Sequence, residues 1–98
     1  MTIRSHHLVE CDVEEAMDYL RTQSSEAVAD DFYREFQEIY SKIESNPFLY
    51  SEEDDGFRHA PFRRAKYSVL YKIHSGFTWI AAVGHQSRRP GIYKRRTP

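Results

Sequence analysis

Residues 67–83 read YSVLYKIHSGFTWIAAV, and the interpretation of this stretch decides the fold. Tyr67, Val69, Tyr71 and Ile73 alternate with Ser68, Leu70 and Lys72, which is the period of a strand. His74, Ser75 and Gly76 supply a turn. The run from Phe77 to Val83 is apolar on both faces, as a central strand requires. Upstream, Phe57 to Phe62 reads as a further strand, and Pro61 argues for an edge position or a bulge because proline cannot donate to a ladder. The three together make an antiparallel meander.

Toward the N-terminus the period lengthens. Between Glu26 and Ser45, Val28, Phe32, Phe36, Ile39 and Ile43 form one stripe, with Asp30, Glu38, Lys42 and Glu44 opposite. This predicts a helix ~30 Å long, capped by Ser24 or Ser25 and stopped by Asn46-Pro47. Val13, Ala16, Met17 and Leu20 mark an earlier helix, for which Asp12 and Glu15 resemble a capping box. The short link from Thr22 to Ser25 folds the two into an antiparallel hairpin with both stripes facing the same way. Thr2 to Val9 reads as an N-terminal strand, the acidic run from Glu52 to Asp55 with Gly56 as a loop, and Gly84 to Pro98 as an irregular basic tail over the sheet. The expected fold is a single α+β domain, residues 1–98, in two layers: N-terminal strand, helical hairpin, then three-stranded meander in one sheet.

The net charge of −1 and the pI near 6.5 conceal a separation. All fifteen carboxylates lie in residues 1–55 with four cations, whereas residues 56–98 hold ten cations and no carboxylate. Two readings follow: an anionic partner for the basic half, or mutual neutralisation of the halves on folding. Cys11 is the single cysteine, so no intrachain disulfide forms, and it reads as an inert thiol. The first ten residues lack a signal-peptide core, and the longest uncharged run, Ile73 to Ser87, is too short to span a membrane. A cytoplasmic protein is expected, with no membrane partner. The five histidines lack ligand spacing, so neither metal nor cofactor is expected.

With these elements placed, the chain resembles the RelE/ParE superfamily of bacterial toxins from type II toxin–antitoxin systems, the plasmid stabilisation proteins. The resemblance rests on the hairpin ending in Asn46-Pro47, the Tyr67-Ser68-Val69-Leu70-Tyr71 strand, and Ala82-Val83-Gly84-His85-Gln86-Ser87-Arg88-Arg89-Pro90. The last of these is similar to the family's closing pattern, in which an apolar strand runs into a His, then a basic residue and a Pro. The resemblance implies a toxin neutralised by a cognate acidic antitoxin. It also implies one of two targets: RelE-like members cut messenger RNA on the ribosome without a metal, whereas ParE-like members poison DNA gyrase and carry no catalytic residues. The Arg88-Arg89-Pro90 ending favours the ParE-like side.

Under the RelE-like alternative, His85 is the candidate acid or base, since imidazole titrates near neutrality, with Arg64 and Arg88 as the cationic clamp on phosphate. Arg58, Arg63, Arg64, Lys66, Arg88, Arg89, Tyr93, Lys94 and Arg95 are candidates for binding nucleic acid or the antitoxin. Tyr71 or Tyr93 would stack on a displaced base. Each has a plainer reading as well: His85 as a structural histidine, Tyr71 as core, and Arg58, Arg63 and Arg64 as partners of the chain's own carboxylates. A third reading keeps the fold without toxicity, as an interaction module or co-repressor. The acidic hairpin with Tyr33 and Tyr40 offers a surface for a homodimer.

Overall fold

The computed structural model describes residues 2–53, 55–88 and 90–98. Its elements are β1 (Thr2–Ser5), α1 (Val9–Gln23), α2 (Glu26–Ser45), β2 (Phe57–Pro61), β3 (Tyr67–His74), β4 (Phe77–His85) and α3 (Gly91–Lys94). The strands form one mixed sheet in the order β1-β4-β3-β2. The meander β2-β3-β4 is antiparallel, and β1 runs parallel to β4 with Thr2 opposite Phe77 and Ser5 opposite Ile80. The expected α+β architecture is therefore the observed one.

The N-terminal boundary differs. β1 ends at Ser5, and Val9 is the buried first residue of α1 instead of the last residue of a strand. Helix α1 starts after Leu8, which makes no side-chain cap, so Asp12 and Glu15 form no capping box. The reason lies in the sheet. β4 outruns β1, leaving the Val83 N–H without a strand partner, and a buried donor needs an acceptor. Asp12 supplies it: its carboxylate accepts from Val83 N–H at 3.1 Å and from Arg96 Nη1 at 2.6 Å.

Helix α2 has the predicted ends, with Ser25 Oγ accepting from Val28 N–H at 3.2 Å. Its buried face comprises Ala29, Phe32, Glu35, Ile39 and Ile43, while Val28 is 37 % exposed. Phe32, Ile39 and Ile43 of this face meet Val9, Val13 and Ala16 of α1 and Val69, Tyr71, Ile80 and Val83 of the sheet in one core. Phe32 stacks on Phe62 at 4.4 Å, and the buried Tyr71 hydroxyl donates to Pro47 O at 2.7 Å. Each fully buried large side chain contributes about 1.5–3 kcal/mol. That is what ties the hairpin to the sheet.

The other sheet face carries a second, smaller core of Phe57, Leu70, Trp79, Ala81, Ala82 and Tyr93. The tail covers it. Trp79 Nε1 donates to Arg96 O at 2.8 Å, and Tyr93 lies so close over Gly84 that a Cβ there would sit 2.6 Å from its ring.

A bulge sets the register between these faces. Leu70 pairs with Ala82 but Tyr71 pairs with Ile80, leaving Ala81 as the extra residue. Side chains alternate along a strand, so one extra residue reverses which face the rest of β4 presents. His85, opposite Tyr67, thereby falls on the hairpin side with Val69 and Tyr71.

Candidate functional site

The hairpin side of the β4 terminus opens into a groove of about 320 Å³, lined among others by Asp12, Glu15 and Tyr19 of α1, Tyr67 of β3, and His85 and Arg88. His85 Nδ1 accepts from the Ser87 N–H at 3.1 Å and lies 2.7 Å from Ser87 Oγ. A neutral ring held this way carries its proton on Nε2. The ring meets Tyr67 edge-on at 5.1 Å, and burial raises the Tyr67 pKa, keeping that phenol protonated. Arg88 Nη1 donates to the Tyr93 hydroxyl at 3.2 Å. That hydrogen bond is the main cause holding the Arg88 pKa above its ordinary value.

Of the three catalytic candidates, the structure brings His85 and Arg88 to one groove and places Arg64 elsewhere. Arg64 lines a different pocket of about 240 Å³ together with Arg63, Asp31 and Glu35, and it lies 3.8 Å from Asp31 Oδ2. Arg63 donates through its backbone N–H at 2.8 Å and its Nε at 3.2 Å to the buried Glu35, and through Nη2 to Glu38 at 3.2 Å. Arg58 is largely enclosed: Nη1 donates to Tyr50 O at 2.6 Å, and its side chain is 11 % exposed. Lys94 pairs with Asp55 and lies over the Phe57 ring. Its hydrogen bond is the chief reason the Asp55 pKa is lowered. Lys66 and Arg95 are exposed, and among the described residues no carboxylate pairs with either. Arg89 lies outside the described residues.

Both aromatic candidates are enclosed by the chain itself, Tyr71 fully and Tyr93 against Gly84, so neither ring is open to a displaced base. Tyr33 is exposed, whereas Tyr40 is half-buried beside Phe36. Among the described residues, no three His, Cys, Asp or Glu side chains converge where a metal ion could sit, and no helix is long and apolar enough to cross a membrane. The sequence reading missed the α1 side of the groove. Glu15 and Tyr19 stand one turn apart on a helix and carry no spacing that marks them as groove residues.

With this geometry in view, a family model described as the ParE toxin of the type II toxin–antitoxin system parDE matches residues 3–90. The chain belongs to the ParE toxin family. ParE toxins are one half of a ParDE pair, which implies a cognate ParD antitoxin as partner. No curated protein matches the sequence. Among solved structures, one from a chromosomal ParDE system of P. aeruginosa superposes with a TM-score of 0.74, covering 87 % of this chain and 95 % of that one at 12 % identity. At that identity the likeness is one of fold. It extends the ParE assignment to the strand, hairpin and meander arrangement described above.

Proposed function

We propose that this ParE family member inhibits DNA gyrase by binding it, without bond-making chemistry of its own, and is neutralised in the cytoplasm by an acidic cognate antitoxin. The observation that carries this reading is the match to the ParE model over residues 3–90. The geometry accords with it. Metal-free cleavage of RNA needs a base, an acid and cations converging on one phosphate. Here Arg64 is in a separate pocket beside Asp31, away from the His85–Arg88 groove. The exposed cations Arg63, Arg64, Lys66, Arg88 and Arg95 suit an acidic antitoxin segment.

The RelE-like alternative has one observation in its favour, the shared groove of His85 and Arg88. Pulse-labelling after induction of the chain alone separates the readings. Under gyrase inhibition, thymidine incorporation falls before methionine incorporation, and the purified chain blocks supercoiling of relaxed plasmid by gyrase. His85→Ala leaves both effects intact. If methionine incorporation collapses first and His85→Ala abolishes the effect, the ribosome-dependent nuclease is correct and the gyrase reading is withdrawn. If neither incorporation changes, the chain acts only as an interaction module.

A further inference from the structure

The second sheet face carries a basic, aromatic patch at the end of the sheet away from His85, on residues that neither target reading involves. Arg4 of β1, Phe77 and Trp79 of β4, Lys72 and His74 of β3 and Phe57 of β2 share this face by register. Three planar groups stand side by side on adjacent strands. The His74 ring stacks on Phe77 at 5.0 Å with 6° between planes, and the Arg4 guanidinium lies 4.9 Å from the Phe77 centroid on the β1 side. Lys72 Nζ follows on the next row, 5.2 Å from the Phe57 centroid. The four strands contain no Asp or Glu. The carboxylates near this face are at the β2 end, where Asp55 pairs with Lys94, Glu53 with His59, and Glu52 with Arg58. Among the described residues, neither Arg4 nor Lys72 has a carboxylate partner.

We infer that this patch binds single-stranded nucleic acid, with Arg4 and Lys72 on backbone phosphates and an unpaired base stacking on the outer face of the His74 ring, at the end of the His74–Phe77 stack. Charge selects a polyanion. The parallel His74 and Phe77 rings, with the Arg4 guanidinium beside them, select a base-bearing one over an acidic peptide, since bases stack on aromatic rings and guanidinium planes alike. A β-sheet face that combines cations with stacking rings suits a single strand better than a duplex, whose bases are hidden. The inference goes beyond the gyrase reading and does not depend on it.

The test is fluorescence anisotropy of the purified full chain with labelled oligo(dT), oligo(U), a duplex of equal length, and polyglutamate. The single strands are expected to bind at low salt, with log K falling against log salt at a slope of about −0.7 per phosphate contact. The Arg4→Gln/Lys72→Gln double variant is expected to weaken binding about tenfold or more and to flatten that slope by about 1.4. His74→Ala is expected to weaken binding without changing the slope, because it removes a stacking plane and no fixed charge. Lys42→Gln, on α2, is the control and should leave binding unchanged, and circular dichroism checks that all variants fold. Failure of both single strands to bind at low salt overturns the inference. So does equal binding of duplex or polyglutamate, or loss of binding in Arg88→Gln with none in the double variant, since each assigns the charge to another ligand or another face.

Discussion

Asp12→Ala tests whether the open edge of β4 is closed by a side-chain pair. In the native chain the Asp12 carboxylate accepts three hydrogen bonds: from Val83 N–H at 3.1 Å, and from Arg96 Nη1 and Nη2 at 2.6 and 3.2 Å. Arg96 Nη1 also donates to Ala81 O at 3.2 Å. Carboxylate and guanidinium thus stand in for the strand that β1 is too short to provide. The two side chains are only 10 % and 17 % exposed. Removing one partner of a buried pair costs about 3–5 kcal/mol, and the orphaned Val83 N–H belongs to the same loss, at about 1–3 kcal/mol if taken alone. Against a total stability of about 5–15 kcal/mol for a domain of this size, that is a large fraction.

The expected outcome for Asp12→Ala is a loss of about 3 kcal/mol or more in urea unfolding followed by circular dichroism, with an unchanged m value. The melting temperature should fall by about 12 °C or more. Asp12→Asn keeps an acceptor for Val83 and should lose less. Asp12→Leu combined with Arg96→Met should recover part of the loss, because an apolar pair leaves no charge stranded. A loss below about 1 kcal/mol for Asp12→Ala, the range of an exposed pair, would refute the reasoning and show that water closes this edge as well as the carboxylate does.

Three further outcomes are expected. Gly84→Ala puts a Cβ 2.6 Å from the Tyr93 ring, so it should lift the tail off the sheet, red-shifting Trp79 emission as the indole loses its bond to Arg96 O; an unchanged spectrum would mean that the tail does not seal this face. Glu35→Ala strips the acceptor from Arg63 N–H and should cost about 1–3 kcal/mol, whereas Glu35→Gln should cost less, and equal losses would assign the effect to packing. His6 has its pKa lowered below 6.5, first by partial burial and then by His7 and Arg96, so folding favours the neutral ring. Its contribution is complete above the ordinary histidine value and is lost as pH falls below it toward the folded pKa. Melting curves between about pH 7.5 and about pH 5 should therefore decline more steeply in the native chain than in His6→Asn.

Long periodic segments were legible because one period dominates them. Helix α2 from Glu26 to Ser45 and the strand pair around Ser75-Gly76 needed only their own residues, and Gly76 takes φ of +85° in the tight turn as that reading requires. The start of α1 misled because Asp12 and Glu15 carry the chemistry of a cap while their side chains are used elsewhere. Asp12 bonds Val83, 71 positions away, and no local pattern encodes that separation. The site was half legible for the same reason. His85 and Arg88 lie close in sequence and share a groove, but its opposite wall comes from α1. Which face His85 takes depends on the bulge at Ala81, one residue in an apolar run where every neighbour looks equally buried.

The separated charge resolves into two populations of cation. Arg58 and Arg96 are drawn inward, with side chains 11 % and 17 % exposed, hydrogen bonds to backbone carbonyls, and ion pairs with Glu52 and Asp12. Alanine at either should therefore act on stability. Apart from the contact of Arg63 Nε with the enclosed Glu35, Arg63 and Arg64 pair with the acidic hairpin through Glu38 and Asp31, and both members of each of these pairs are open to solvent. Pairs of that kind contribute about 0–1 kcal/mol and are screened by salt, so an incoming carboxylate or phosphate can replace the internal partner at little cost. Mutual neutralisation and binding to an anionic partner are thus not competing readings of the same residues. The enclosed cations close the fold, and the exposed ones hold the hairpin loosely enough to exchange it for something more negatively charged.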